Sequence, residues 1–283
     1  MTNDSVMAAK LLTSDDILGD SRQARQLARR QLIAEAVMAE GSMKIDDLTS
    51  RFSISLMTAH RDIDELAARG LLRKERGTVS AAPTSLIEAS GVYRANRQGP
   101  EKEAIALAAL AFVEPGQAIF MDDSTTVLHM APHLADKGPL TIITNALTLM
   151  NQLKGHRDLT LLGLGGQYHN WCNAFMGRIT TQEIAGLRAD TVFMSMAAVT
   201  DDIVFHQSPD MVETKRAMCE ASARRILLID HTKFQRRALH ALAPLSRMDV
   251  VITDDAAPAD QIARMRDAGI EVVVARRRSA RRT

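Results

Sequence analysis

Cysteine is almost missing: the chain of 283 residues has two, Cys172 and Cys219, far apart and in no metal-ligand spacing. This argues against a disulfide-stapled scaffold and fits a reducing compartment. No run approaches the roughly 18 consecutive apolar residues of a membrane span. Neither charge dominates, with 35 Lys+Arg against 34 Asp+Glu, so the chain is no uniformly basic nucleic-acid coat. Residues 1–20 contain Asp4, Asp15, Asp16 and Asp20 without a basic-then-apolar signal layout, and are expected to be an unstructured lead-in. There is no internal repeat, and no low-complexity tract besides Arg276, Arg277, Arg278, Arg281 and Arg282, read as a solvated basic tail over 276–283. A soluble cytoplasmic protein without a membrane partner follows.

What is present divides into two grammars. The length exceeds one typical domain of roughly 100 to 200 residues, and a hydrophobic content of 46% permits a sizeable core. Residues 21–82 read as short helices. "RQARQLARRQLIAEAVMAEG" carries Leu27, Ile33, Val37 and Met38 and stops at Gly41; "KIDDLTSRF" is a second helix around Ile45 and Leu48. "SISLMTAHRDIDELAARG" is a third, with Ser55 placed to cap it, Gly70 to end it, and Ala59, Ile63 and Leu66 on one face. A basic, glycine-containing run with Arg73, Lys74 and Arg76 follows.

Three helices and a two-stranded basic ribbon describe a winged helix-turn-helix, whose last helix enters the major groove of double-stranded DNA. Ser55, Met57, Thr58, His60 and Arg61 are the candidate groove contacts, and Arg73, Lys74 and Arg76 the candidate phosphate contacts. Asp62, Asp64 and Glu65 would repel phosphate, but at a period of 3.6 they fall in the later half of the helix. A charged three-helix module that binds protein is the lesser alternative.

Residues 83–99, mixing Pro, Gly and polar side chains, read as a linker. Over 100–275, β-type runs recur at "AIFM", "LTIIT", "LTLLG", "TVFMSM", "RILLI", "VVIT" and "EVVVA", separated by helical stretches such as "KEAIALAALAFV", "TTVLHMAPHLA" and "ETKRAMCEASA". Near-continuous apolar strands alternating with helices imply an α/β domain with a buried, largely parallel sheet. Ligands of such sheets bind at the carboxyl ends of the strands. There the sequence places Asp122, Asp123, Ser124, Thr125 and Thr126, then Thr144 and Asn145, then Gly165 and Gly166, then Asp230 with Lys233 close behind. Hydroxyls and loop amides suit a phosphate or carboxylate, and carboxylates suit sugar hydroxyls. No G-x-G-x-x-G opens a helix after the first strand, so no dinucleotide cofactor is expected. His129 and His133 have metal-pair spacing, but Pro132 interrupts the helix and no metal is expected there. Tyr168 and Trp171 are read as packing residues, and Cys219 as inert.

Taken together, these motifs resemble those of bacterial DeoR-family transcriptional regulators across residues 25–275. The family's DNA-binding helix, S-x-x-T-[IV]-R-R-D-L-x-x-L followed by G-x-[LI]-x-R, is matched by Ser55, Thr58, Arg61, Asp62, Ile63, Leu66, Gly70 and Leu72. Ala59 and His60 depart from it, and Gly77-Thr78-Val79 replaces a Gly-Gly-Ala wing. The family's D-x-G-[ST]-T is matched at Asp122 to Thr126 with Ser124 in place of glycine, T-N at Thr144-Asn145, and G-G at Gly165-Gly166. E-x-K-R-x-M is matched at Glu213 to Met218, and D-x-S-K-F at Asp230 to Phe234 with Thr232 for serine, while Ser195 and Ala198 stand where glycines are usual. The resemblance implies a sensor domain folded like sugar-phosphate isomerases and CoA transferases. It also implies a repressor of a carbohydrate operon, a homo-oligomer (dimer or tetramer) on operator DNA, with no catalytic residues and no cofactor. A sugar-phosphate effector would be held by the strand-end residues together with Lys215 and Lys233. The competing expectation is a phosphosugar isomerase-like enzyme with an appended helical module, its acid and base drawn from Asp122, Asp123, Asp230, Lys215 and Lys233.

Overall fold

The computed structural model describes residues 42–68, 71–81 and 97–277, with Arg94, Ala95 and scattered positions between 26 and 40. The expected lead-in over 1–20, the helix stops at Gly41 and Gly70, and the arginines beyond 277 lie outside the described residues. The chain divides near residue 97 into two compact units.

In the first unit the described positions between 26 and 40 are helical and bury Ile33, Ala34, Ala36 and Val37. They share a core with β1 (Ser42–Lys44), α1 (Ile45–Phe52), α2 (Leu56–Ala68), β2 (Leu72–Glu75) and β3 (Thr78–Ala81). Helix α1 buries Ile45 and Leu48, and α2 buries Ala59, Ile63 and Leu66. Each fully buried aliphatic side chain stabilises the unit by about 1.5–3 kcal/mol relative to exposure. Ser53 reverses the chain between the two helices at φ +50°, in the left-handed position where glycine is the usual choice. The wing is larger than the ribbon expected. Residues 42–44, which carry no visible strand pattern, pair antiparallel with β3 and make a three-stranded sheet in the order β1-β3-β2. Short edge strands like this one are specified by their partner more than by their own sequence.

The second unit begins at α3 (Gly99–Ala109), so the linker expected to reach residue 99 ends in a helix start. It continues with β4 (Ala118–Met121), α4 (Thr125–Leu128), β5 (Leu140–Thr144), α5 (Leu147–Leu153), β6 (Leu159–Gly163), β7 (Gln167–His169), β8 (Ala174–Met176) and α6 (Arg178–Ala185). Then come β9 (Ala189–Met194), β10 (Ala198–Thr200), β11 (Ile203–His206), α7 (Pro209–Glu220), β12 (Ser222–Leu228), β13 (His240–Pro244), β14 (Val250–Asp254), α8 (Ala259–Asp267) and β15 (Glu271–Ala275). The seven apolar runs become one seven-stranded sheet in the order β15-β14-β12-β9-β4-β5-β6, and every pairing in it is parallel.

Two local readings change. The helix expected through "TTVLHMAPHLA" stops at Leu128 and gives way to a 3₁₀ turn over Ala131–His133, because Pro132 can neither donate to nor fit inside an α-helix. The helical run "ETKRAMCEASA" ends at Glu220, and Ser222 already belongs to β12. The hairpin β7–β8 and the antiparallel sheet β10-β11-β13 have no counterpart in the sequence reading. The strand order reverses between β4 and β9: chain order leads from β4 outward to β5 and β6 on one side, and from β9 outward to β12 on the other. Such a reversal opens a crevice beyond the carboxyl ends of the two central strands.

Candidate functional sites

Helix α2 is capped as expected. Thr58 N donates to Ser55 Oγ at 3.2 Å, and the two hydroxyls lie 2.9 Å apart, so the first turn's own polar groups serve the cap. Around that cap Ser55 and Arg61 are exposed, Thr58 and His60 half-buried, and Leu56 and Met57 protrude at 51% and 75% exposure. The buried Nδ1 of His60 has no hydrogen-bond partner among the described residues.

Asp62 does not lie on a solvent face. It is fully buried and held by Arg29 Nε at 2.7 Å and Arg30 Nε at 2.8 Å, which ties the N-terminal helix to α2. Two of the basic residues near the chain start are therefore struts, a role visible only once the helices are packed. On the wing, Arg73 and Arg76 are exposed, whereas Lys74 pairs with Asp64 at 2.6 Å. A surface pair of that kind contributes about 0–1 kcal/mol, so a phosphate can displace it.

In the second unit the side chains at the crevice are buried. Asp122, at 0% exposure, follows β4 and accepts from Ser124 N at 2.9 Å and from Ser195 N, beyond β9, at 2.9 Å. Lys215, from α7 and 2% exposed, donates to Asp122 Oδ2 and to the Ser195 carbonyl at 3.0 Å, and lies 3.2 Å from Asp123 Oδ1. The ammonium's three protons are thus directed at this cluster. Lys215, expected to meet an anionic ligand, here bridges the two central strand ends through Asp122 and the Ser195 carbonyl.

Beside this clamp, Ser124, Thr125 and Thr126 are buried, and Ser124 caps α4 by accepting from Val127 N at 3.2 Å. Thr144 Oγ1 accepts from Ala146 N at 3.1 Å. Asn145 donates through Nδ2 to the Phe175 carbonyl at 2.9 Å, which directs its Oδ1 the other way. That Oδ1 is buried and has no hydrogen-bond partner among the described residues, in a side chain 1% exposed. Gly166 is needed for packing, whereas a Cβ at Gly165 would meet only Glu183 Oε1 at an ordinary 3.8 Å. Gly166 sits at φ +138°, where a Cβ would lie 2.1 Å from Thr180 Oγ1, and Thr180 itself donates to the Gly165 carbonyl at 2.7 Å.

Past β12, Asp230 accepts from Thr232 N at 3.0 Å and from the Thr232 hydroxyl. Burial pushes the Asp230 carboxyl up, but Lys233, the Thr232 hydrogen bonds and Lys102 outweigh it and hold the group below the usual carboxylate range. Lys102 and Lys233 are themselves 3% and 7% exposed. Lys102, in the first turn of α3, was not among the expected site residues. Its sequence signal is weak, because Lys102 stands between Glu101 and Glu103 in a charged helix start and reads as a solvated residue.

The neighbours of Lys102 also reach across the sheet edge. Glu101 meets Arg277 Nη1 at 3.2 Å, and Glu103 meets His129 Nδ1 at 3.0 Å and His133 Nε2 at 3.4 Å. The hydrogen bond from His129 leads the effects that lower the Glu103 carboxyl. The two histidines therefore hold a glutamate from α3, and among the described residues no group of three or more His, Cys, Asp or Glu could hold a metal ion. Arg277 also meets Asp255 at 3.0 Å, so the part of the basic tail that is described is docked. The half-buried thiol of Cys219 is pushed up to about 12 by desolvation, which disfavours the reactive thiolate. Tyr168 stacks at a tilt on Phe175 with 5.5 Å between ring centroids.

Comparison with known proteins bears on both units. Residues 29–84 match the family model for a DeoR-like helix-turn-helix domain, and residues 97–255 match the model for the DeoR C terminal sensor domain. A putative aga operon transcriptional repressor of Escherichia coli O157:H7 is 26% identical over 266 residues, 93% of this chain and 99% of its own. The transcriptional repressor AccR of Agrobacterium fabrum is 31% identical over 228 residues, 80% of this chain and 88% of its own. The glycerol-3-phosphate regulon repressor of Escherichia coli strain K12 is 30% identical over 239 residues, 83% of this chain and 93% of its own. Among solved structures, a D-ribose-5-phosphate isomerase aligns with 14% identity and a TM-score of 0.35, covering 47% of this chain and 52% of its own.

Proposed function

The chain belongs to the DeoR family of transcriptional regulators, and on that premise we propose that it represses a carbohydrate-utilisation operon and leaves its operator when a phosphorylated sugar or polyol binds the second unit. Helix α2 enters the major groove, with Met57 and His60 at the base edges and Ser55, Thr58 and Arg61 toward the adjacent phosphates. Arg73, Arg76 and a released Lys74 lie on the backbone. The relatives named for an aga operon and for a glycerol-3-phosphate regulon support the carbohydrate assignment.

The observation that carries the effector reading is the unpartnered Oδ1 of Asn145 beside the crevice between β4 and β9. A buried carbonyl oxygen without a donor costs about 1–3 kcal/mol, and a sugar hydroxyl is the group that relieves it. The effector lies across the strand ends, with hydroxyls toward Asn145, Thr144 and the Ser124–Thr126 loop, and its phosphate toward Lys233. Asp122 and Lys215 hold the loop in shape, and Gly165-Gly166 form the wall. A homo-oligomer presents two reading helices to repeated half-sites. The isomerase reading is disfavoured because Asp122 already accepts from three donors, which leaves it poorly placed as a proton acceptor.

The test is a thermal-shift screen of sugar phosphates and polyol phosphates followed by operator binding with the best hit, because a ligand of the folded state must raise its stability. The expected result is that Thr125→Ala/Thr126→Ala abolishes ligand-induced release while DNA binding persists. Release at wild-type concentrations would move the site elsewhere, and turnover of any sugar phosphate in the panel would favour the enzyme. Arg61→Ala should weaken operator and random duplex alike and reduce the logarithmic salt slope by about 0.9.

A further inference from the structure

The first turn of α2 sets two large apolar residues, Leu56 and Met57, between the hydroxyls of Ser55 and Thr58. Ser55 and Thr58 flank the turn, yet their hydroxyls face each other at 2.9 Å and Ser55 Oγ also takes the Thr58 amide. Between them Leu56 and Met57 stand out at 51% and 75% exposure, although both are large and apolar. Met57 lies on the same helix stripe as Arg61 and Asp64, all three exposed, while Ala59, Ile63 and Leu66 face the core. Exposed Arg73 and Arg76 on the wing give this unit cations of the kind that neutralise phosphates.

A helix tip whose hydroxyls are engaged in its own cap is ill suited to reading the donor and acceptor pattern of a base pair. An exposed thioether and isobutyl group suit the one apolar group the major groove displays, the 5-methyl of thymine. We propose that Met57, supported by Leu56, selects thymine in each operator half-site through its 5-methyl group, leaving hydrogen-bonded readout to His60 and backbone contact to Arg61. This rests on the operator-binding reading and gives it a base preference. The arrangement also accounts for two large apolar side chains kept in water on a small unit, since burial against the methyl is available only in the complex.

The experiment uses the full chain and duplexes enriched by it from a randomised pool. Each thymine of an enriched duplex is replaced singly by deoxyuridine, which removes the methyl and keeps the hydrogen-bonding edge, and affinity is read by fluorescence anisotropy. At one thymine or more per half-site the wild-type protein should lose affinity about fourfold, the scale of one buried methyl. Met57→Ala should bind the thymine duplex about as weakly as wild type binds the deoxyuridine duplex, and should no longer distinguish the two. Equal binding of both duplexes by the wild type at every position would overturn the inference, as would discrimination that survives in both Met57→Ala and Leu56→Ala. Loss of oligomer in Met57→Ala with discrimination intact would show instead that the pair covers a second copy of the chain. Sequence-selective binding without methyl sensitivity removes only this inference, whereas failure to enrich any sequence removes the operator-binding reading with it.

Discussion

In the DNA-binding unit the side chains expected to act are on the outside, with Met57 at 75% exposure and Arg61, Arg73 and Arg76 exposed; in the sensor unit they are inside, with Asp122 at 0%, Asn145 at 1% and Lys215 at 2%. The contrast follows from what each unit has to bind. A duplex never enters the protein, so the groups that read it must project, and their charges interact through water where each pair is weak. A small ligand must be enclosed to be told from its relatives, so the groups that hold it are desolvated and must neutralise one another when the site is empty. The first unit therefore carries its function in side chains that contribute little to its stability. In the second, most of the residues expected to form the site are buried with the core.

The sharpest way to break that comparison is to remove the buried cation. Lys215→Met leaves Asp122 and Asp123 without their shared partner and should destabilise the sensor unit by about 3–5 kcal/mol in urea denaturation. Adding Asp122→Asn to that variant should recover only part of the loss, because the Asp123 carboxylate stays buried and an amide cannot accept from both Ser124 N and Ser195 N. A cost below about 1 kcal/mol would mean the clamp is not the desolvated pair described.

A smaller effect is expected at the glycine wall. Gly166→Ala drives a methyl into Thr180 Oγ1 and the Met176 carbonyl at an unfavourable φ, at a cost of about 1–3 kcal/mol. An unchanged denaturation midpoint would show that α6 can move away freely. By contrast Arg61→Ala, on the outer face of α2, should leave the midpoint unchanged while its DNA affinity falls.

Acid gives the most gradual test. The carboxyls of Glu103, Asp230 and Asp249, all in the sensor unit, are held below their ordinary values of 4.5, 3.8 and 3.8. For Glu103 the hydrogen bond from His129 leads; for Asp249 burial works against the shift and the Arg225 hydrogen bonds prevail. A carboxyl lowered by folding contributes stability that is present above its unfolded value and is lost as pH falls through the folded one. Melting temperature should therefore hold at neutral pH and begin to fall as pH drops below about 4.5, continuing past 3.8. Glu103→Gln should flatten the upper part of that decline, and an unaltered profile would discount the histidine clasp.

Much of this was legible in the chain itself. The seven apolar runs could be read as buried parallel strands because a strand covered on both faces has to be apolar at nearly every position, a requirement that no neighbour alters. The reading helix was legible for the opposite reason: its inward stripe of Ala59, Ile63 and Leu66 and its cap at Ser55 are local features with a fixed spacing. The pairing of residues 42–44 with the wing was hidden, since three residues hold no period and borrow their conformation from β3.

Tertiary structure alone decided which polar residues hold the protein together and which are left to bind. Asp62 and Lys215 both looked like surface or ligand-facing charges, yet each is buried on partners far away in the chain, Arg29 and Arg30 for one and Asp122 for the other. That assignment depends on β4 and β9 becoming neighbours at the reversal of strand order, and on the N-terminal helix crossing α2. A sequence specifies the hydrophobic period of each element, but a charge finds its partner only after the elements have packed, because Coulomb attraction and desolvation act through space and not along the chain.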